Sequence, residues 1–201
     1  MDNRLQKDQP FFEPTLQALA KYTLTLEGEQ VVSKTQKQYP AIKGLSWHRS
    51  PYYSFFTPMN WHPFAWSDDR QGEIYGPDPD DPLTVFAVDS RDLGTTVTAN
   101  DLEALAEGFF GAIERLPAVV FESRNQKVTG KLLQLEAHYT YGDQGETRKC
   151  WVRVFYHLTR QITMTAQGAT PEKYDYWLPI FFQSMMTANV HSMKPTLDLW
   201  S

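Results

Sequence analysis

Four side chains have the types and the spacing to act together: Glu136, His138, Arg153 and His157. Alternation along a strand places Gln134, Glu136 and His138 on one face, Arg153, Phe155 and His157 on the same face of the next strand, and Thr163, Thr165 and Gln167 beyond them. A carboxylate beside a histidine can raise the pKa of the imidazole or take up a cation. If a helix or the N-terminal arm partly covers this face, the group forms a semi-buried polar cleft for a small-molecule ligand. If the face is open, it is the wetted side of an antiparallel sheet.

A second set is aromatic. Between Ser46 and Trp66 the chain carries Trp47, Tyr52, Tyr53, Trp61, His62 and Trp66 among further rings, punctuated by Pro51, Pro58 and Pro63. Such rings either seal an edge of the core or form a recognition patch for a protein partner, because Trp and Tyr supply much of the energy of protein interfaces.

Other chemistry is mostly absent. The nucleophile-elbow, phosphate-loop, zinc-protease and paired-cysteine motifs do not occur, so no catalytic residue, metal ligand or cofactor is expected. Asp68, Asp69 and Arg70 form one charged cluster and Asp78, Asp80 and Asp81 another. Counted from Asp78 as a calcium loop, the second lacks the glycine and the glutamate at the sixth and twelfth positions, where Leu83 and Asp89 stand. It reads as a turn. The single Cys150 lies in a strand as a small core hydrophobe. A formal net charge of −5 argues against general nucleic-acid binding.

The elements that position these residues are marked locally. Thr98 and Asp101 form a capping box, with the Thr98 hydroxyl expected to accept from the first-turn amides while Asp101 reaches back. Leu102, Leu105, Ala106, Phe109, Ile113 and Leu116 then form one stripe up to Pro117. Residues 119–128, 132–141, 147–158 and 161–168 read as strands joined by short turns, and short links imply antiparallel neighbours. Leu133, Leu135, Ala137, Tyr139 and Tyr141 share one face, Cys150, Val152, Val154 and Tyr156 continue it, and Ile162, Met164 and Ala166 are expected to join them. The last helix opens at Thr170 with Pro171 in its first position and Glu172 in its first turn. Tyr174, Trp177, Leu178, Phe181, Met185 and Ala188 make its apolar stripe, and Pro179 should kink it. The class is α+β: a three-layer α/β/α sandwich with a central antiparallel sheet.

This order, with the Trp-containing turn at Asn60 and Trp61, resembles the PsbP-like superfamily. That group includes the extrinsic oxygen-evolving subunit of photosystem II, a Ran-binding nuclear import factor and bacterial DcrB-type proteins. The most similar part runs from Arg160 to Tyr174, a final strand passing into a Pro-Glu helix start. The resemblance implies a body that binds partners or supports assemblies rather than catalysing a reaction. A cone-shaped sheet of the nuclear-transport-factor type would suit the ligand alternative, but it places its helices before the sheet.

Residues 1–45 are expected to form a partly irregular arm, with a short helix from Phe11 to Tyr22 and a strand from Thr23 to Val32. The domain then covers 46–191, and 192–201 form a tail. No stretch approaches the ~20 apolar residues needed to span a bilayer. No apolar run follows the charged N-terminus, which points to the cytoplasm. The expectation is a non-catalytic protein of the cytoplasm that binds a protein partner or joins a larger assembly, with Trp47 to Trp66 as the first contact surface. A small-molecule-binding protein or small enzyme using the sheet face is the alternative.

Overall fold

A computed structural model describes residues 40–65 and 72–191. The expected N-terminal helix and strand, the C-terminal tail, Trp66 and the cluster at Asp68, Asp69 and Arg70 lie outside the described residues.

Seven strands form one antiparallel sheet. They are β3 (His62–Phe64), β4 (Gly72–Gly76), β5 (Val85–Asp92), β6 (Val120–Thr129), β7 (Leu132–Asp143), β8 (Glu146–His157) and β9 (Arg160–Gly168), in the order β3-β4-β5-β9-β8-β7-β6. The last four are the expected meander. Three more strands, β1 (Leu45–Arg49), β2 (Tyr53–Pro58) and β10 (Asn189–Val190), make a small second sheet with β2 in the middle.

Helix α1 (Leu102–Glu114) covers one face of the large sheet. It buries Ala106 and Ile113 against Leu133, Leu135, Ala137, Tyr139, Cys150, Val152, Val154 and Tyr156. Helix α2 (Pro171–Met186) and the small sheet cover the other face. Their Tyr53, Phe55, Tyr174, Phe181 and Met185 pack on Phe86, Val88, Trp151, Phe155, Ile162, Met164 and Ala166. This is the three-layer α+β sandwich, and β8 in its middle is buried on both sides.

One expectation about the sheet is corrected. The β8–β9 hairpin pairs His157 with Arg160 across a two-residue turn, so Arg153 meets Met164 and Val154 meets Thr163. Odd residues of β8 therefore share a face with even residues of β9. Ile162, Met164 and Ala166 point to the α2 side, while Thr163, Thr165 and Gln167 point to the α1 side. Shifting a register by one residue moves a whole strand's side chains to the opposite face.

The helix starts follow the sequence closely, with one difference. Asp101 accepts both the backbone N–H of Thr98 (2.7 Å) and its hydroxyl (2.9 Å), so the capping box is present with the Thr98 hydroxyl also donating to the carboxylate. A 3-10 turn, Ala99–Asp101, precedes α1. At α2 the Thr170 hydroxyl accepts from the Lys173 amide at 3.3 Å, and the helix runs unbroken through Pro179. Its buried face uses Ile180 and Ser184 beside Tyr174, Phe181 and Met185, whereas Leu178 faces outward. The Asp78–Asp81 segment is a turn: Asp81 accepts from the amides of Leu83 and Thr84 and binds Lys173 at 2.6 Å.

Candidate functional site

On the α2 side, strands β7 and β8 place Glu136 opposite Arg153 and His138 opposite Trp151. Glu136 is the centre of the group. Its Oε1 accepts from the Trp151 indole at 2.9 Å and meets His138 Nε2 at 3.3 Å. Its Oε2 accepts from Gln134 at 3.0 Å and lies 3.5 Å from Arg153 Nε. Arg153 also donates from Nη1 to the Met185 carbonyl near the end of α2, tying the sheet to that helix. The His138 ring stacks on Trp151 with centroids 4.7 Å apart, and Trp151 in turn lies 6.1 Å from the Phe182 ring.

Burial pushes the Glu136 carboxyl up, but the His138 hydrogen bond, the Arg153 charge and the Trp151 hydrogen bond together hold it below the usual glutamate range. Burial alone pulls the Arg153 guanidinium down, and the Glu136 charge opposes that. Both carboxylate oxygens are thus already occupied. The group orients His138 and Trp151 and joins three elements, and it offers no idle base.

His157 does not join it. It pairs with Leu132 and Arg160 at the far end of β8, about 13 Å along the strand from Arg153. Thr163, Thr165 and Gln167 are on the other face, as the register requires. Two partners, Gln134 and Trp151, are part of the cluster; Gln134 stood on the expected face, and Trp151 was missed. The short antiparallel links bring Trp151 onto the Glu136 face, since it is two residues from Arg153 on β8.

The aromatic candidates divide by the same alternation. Trp47 is exposed on the outer side of the small sheet, with its ring 4.3 Å from Phe56. His62 is exposed on β3. Tyr52 is half-buried under the Arg160 guanidinium, 4.0 Å from its ring centroid. Tyr53 and Trp61 are buried, and Trp61 packs edge-on against Trp177 and Phe181, where it seals α2 to the core. Trp47 to Trp61 therefore do not present one continuous face.

Two features were not anticipated. The first links the two sheets: His48 Nε2 meets the Thr57 hydroxyl at 2.8 Å, and its Nδ1 lies 2.9 Å from the Tyr75 hydroxyl and 3.2 Å from Glu73 Oε2. Tyr75 donates to the same Glu73 oxygen at 2.5 Å. Burial and the Glu73 hydrogen bond push the Tyr75 phenol well above its ordinary range. Hydroxyl, imidazole and carboxylate stand in the order of a nucleophile, base and orienting acid. Thr57 is only 1% exposed, however, so no substrate meets its hydroxyl. The chain is a latch between layers.

The second is the outer flank of α2. Leu178, Phe182 and Met186, spaced by four, are 36%, 49% and 56% exposed. Phe182 stands beside Trp151, on which His138 stacks, and Pro179 next to Leu178 is exposed as well. One turn before Leu178, Asp175 binds Lys149 at 3.2 Å, and Lys149 binds Glu122 at 3.0 Å, which closes that end of the flank with paired charges. The signal was in the sequence: residues 176–190 contain no charged residue.

Among the described residues no three His, Cys, Asp or Glu side chains are grouped to hold a metal ion, and no helix is long and apolar enough to cross a membrane. No protein-family model matches the chain, and no curated protein matches it. Solved structures do. The cyanobacterial PsbP (CyanoP) of Synechocystis sp. PCC 6803 is 15% identical with a TM-score of 0.52, covering 82% of this chain and 98% of its own. LpqN of Mycobacterium tuberculosis, a protein involved in cell envelope biogenesis, is 13% identical with a TM-score of 0.52, covering 74% and 91%. At such identities the likeness concerns architecture, and the architecture of this chain is the PsbP-like fold.

Proposed function

We propose that the chain is a non-catalytic binding or assembly protein whose contact surface is the outer flank of α2. The observation that carries this is the stripe of Leu178, Phe182 and Met186, exposed although the opposite side of the same helix already closes the core. Monomeric proteins seldom leave contiguous large apolar side chains in water, and interface centres are depleted of charge in the same way as residues 176–190. Trp47, exposed on the small sheet, and Met59, exposed in the turn after β2, are a separate and smaller candidate. The ligand-cleft alternative is weakened by Glu136, whose oxygens are taken up by Trp151, His138, Gln134 and Arg153.

The test is crosslinking in native extract with the parent chain, Phe182→Glu and Trp47→Ser, each checked for folding by circular dichroism. A protein, this chain included, that is joined to the parent and to Trp47→Ser but lost from Phe182→Glu is the expected result. Identical crosslinks from all three would overturn the assignment of this surface.

A further inference from the structure

Resting on that reading of α2, we infer that the flank docks a second copy of this chain, related by a two-fold axis passing beside Phe182. An isologous contact requires a patch that is complementary to itself. Leu178 and Met186 lie four residues to either side of Phe182, so an antiparallel pairing of two α2 helices stacks Phe182 on the partner's Phe182 and sets Leu178 on the partner's Met186. All three are side chains of similar bulk, and none brings a charge.

Charge points the same way. From 176 to 190 the chain has nothing with which to pair a charged partner, and the nearest charge at the N-terminal end, Asp175, is already held by Lys149. A second uncharged flank is the complement such a surface fits, and interfaces between identical subunits are the more apolar class. Antiparallel packing also sets the positive end of each helix beside the negative end of the other.

Area sets how far the contact must spread. From their exposures, Leu178, Phe182 and Met186 offer roughly 250–300 Å² per copy, against about 800 Å² per partner in a standard interface. The helix stripe is therefore the centre of the contact and not the whole of it. The rest comes from the sheet beside α2, where Gln134 and His138 are half-buried and Asn125 and Lys127 are exposed, a polar rim around the uncharged helix stripe.

Sedimentation or light scattering across about 1–100 µM tests this directly. The parent chain should move from 23.2 kDa towards twice that mass, and Phe182→Glu should raise the dissociation constant by about 30-fold or more. Phe182→Cys should form a reducible dimer under mild oxidation, because the axis brings the two thiols together and the native Cys150 is buried. Leu178→Lys serves in place of Phe182→Glu should the latter misfold. A parent chain that stays monomeric, or a dimer that survives both charge substitutions, overturns the inference. A monomeric parent that still loses a different crosslinked protein on Phe182→Glu overturns the second copy while leaving the α2 contact surface standing, and no change in either assay removes both.

Discussion

Replacing Glu136 by glutamine keeps the shape of the side chain and removes its charge, leaving Arg153 turned towards a neutral amide. Breaking a buried ion pair at one end costs about 3–5 kcal/mol. Here the two side chains retain 19% and 12% exposure and the contact is a long 3.5 Å, which brings the cost down to about 2–3 kcal/mol. In urea titration, with a slope of about 1–3 kcal/mol per molar, the midpoint should fall by about 1–2 M. Adding Arg153→Met removes the stranded charge and should restore part of the loss. The pH dependence has a fixed sign. The folded carboxyl is held below its ordinary range, so its stabilisation is complete above that range and is lost as pH falls through the lowered folded value. The gap between parent and Glu136→Gln should therefore be full at neutral pH and narrow on acidification. A loss below about 0.5 kcal/mol at pH 7, typical of a surface substitution, would refute this account of the cluster.

Three further outcomes follow from the geometry. Gly168→Ala would place a Cβ 2.5 Å from the Tyr174 backbone nitrogen and 2.7 Å from the Thr170 carbonyl; thermal melting should show a loss of about 1–3 kcal/mol, and an unchanged Tm would contradict the tight strand-to-helix turn. Tyr75→Phe removes the hydroxyl shared by His48 and Glu73, and denaturant titration should show a loss of about 1–3 kcal/mol. Burial pushes the Cys150 thiol up to about 12, so a thiol reagent at neutral pH should label it only after denaturant is added; fast labelling of the native protein would show that the strand opens.

The sequence by itself determined the local elements. The Thr98/Asp101 and Thr170/Pro171 starts, the short turns between strands and the period-two rows depend on residues within a few positions of one another, and each recurs in the structure near its expected place. It also marked Glu136, His138 and Arg153 as neighbours, since short antiparallel links leave little choice of partner strand. Tertiary structure decided the rest. A two-residue turn after His157 set the β8–β9 register and carried Thr163, Thr165 and Gln167 away from that group, and alternation alone does not fix such a count. Strand β10 holds its place through β2, far back along the chain, and the His48–Tyr75–Glu73 latch likewise joins residues of two different sheets. Which side of α2 stays in water was likewise set by what packs against it: Trp61 and Phe155 claim the Phe181 side, and Phe182, one residue on, is left outside. Spacing along a chain fixes which residues share a face, but only the arrival of distant layers fixes which face is covered.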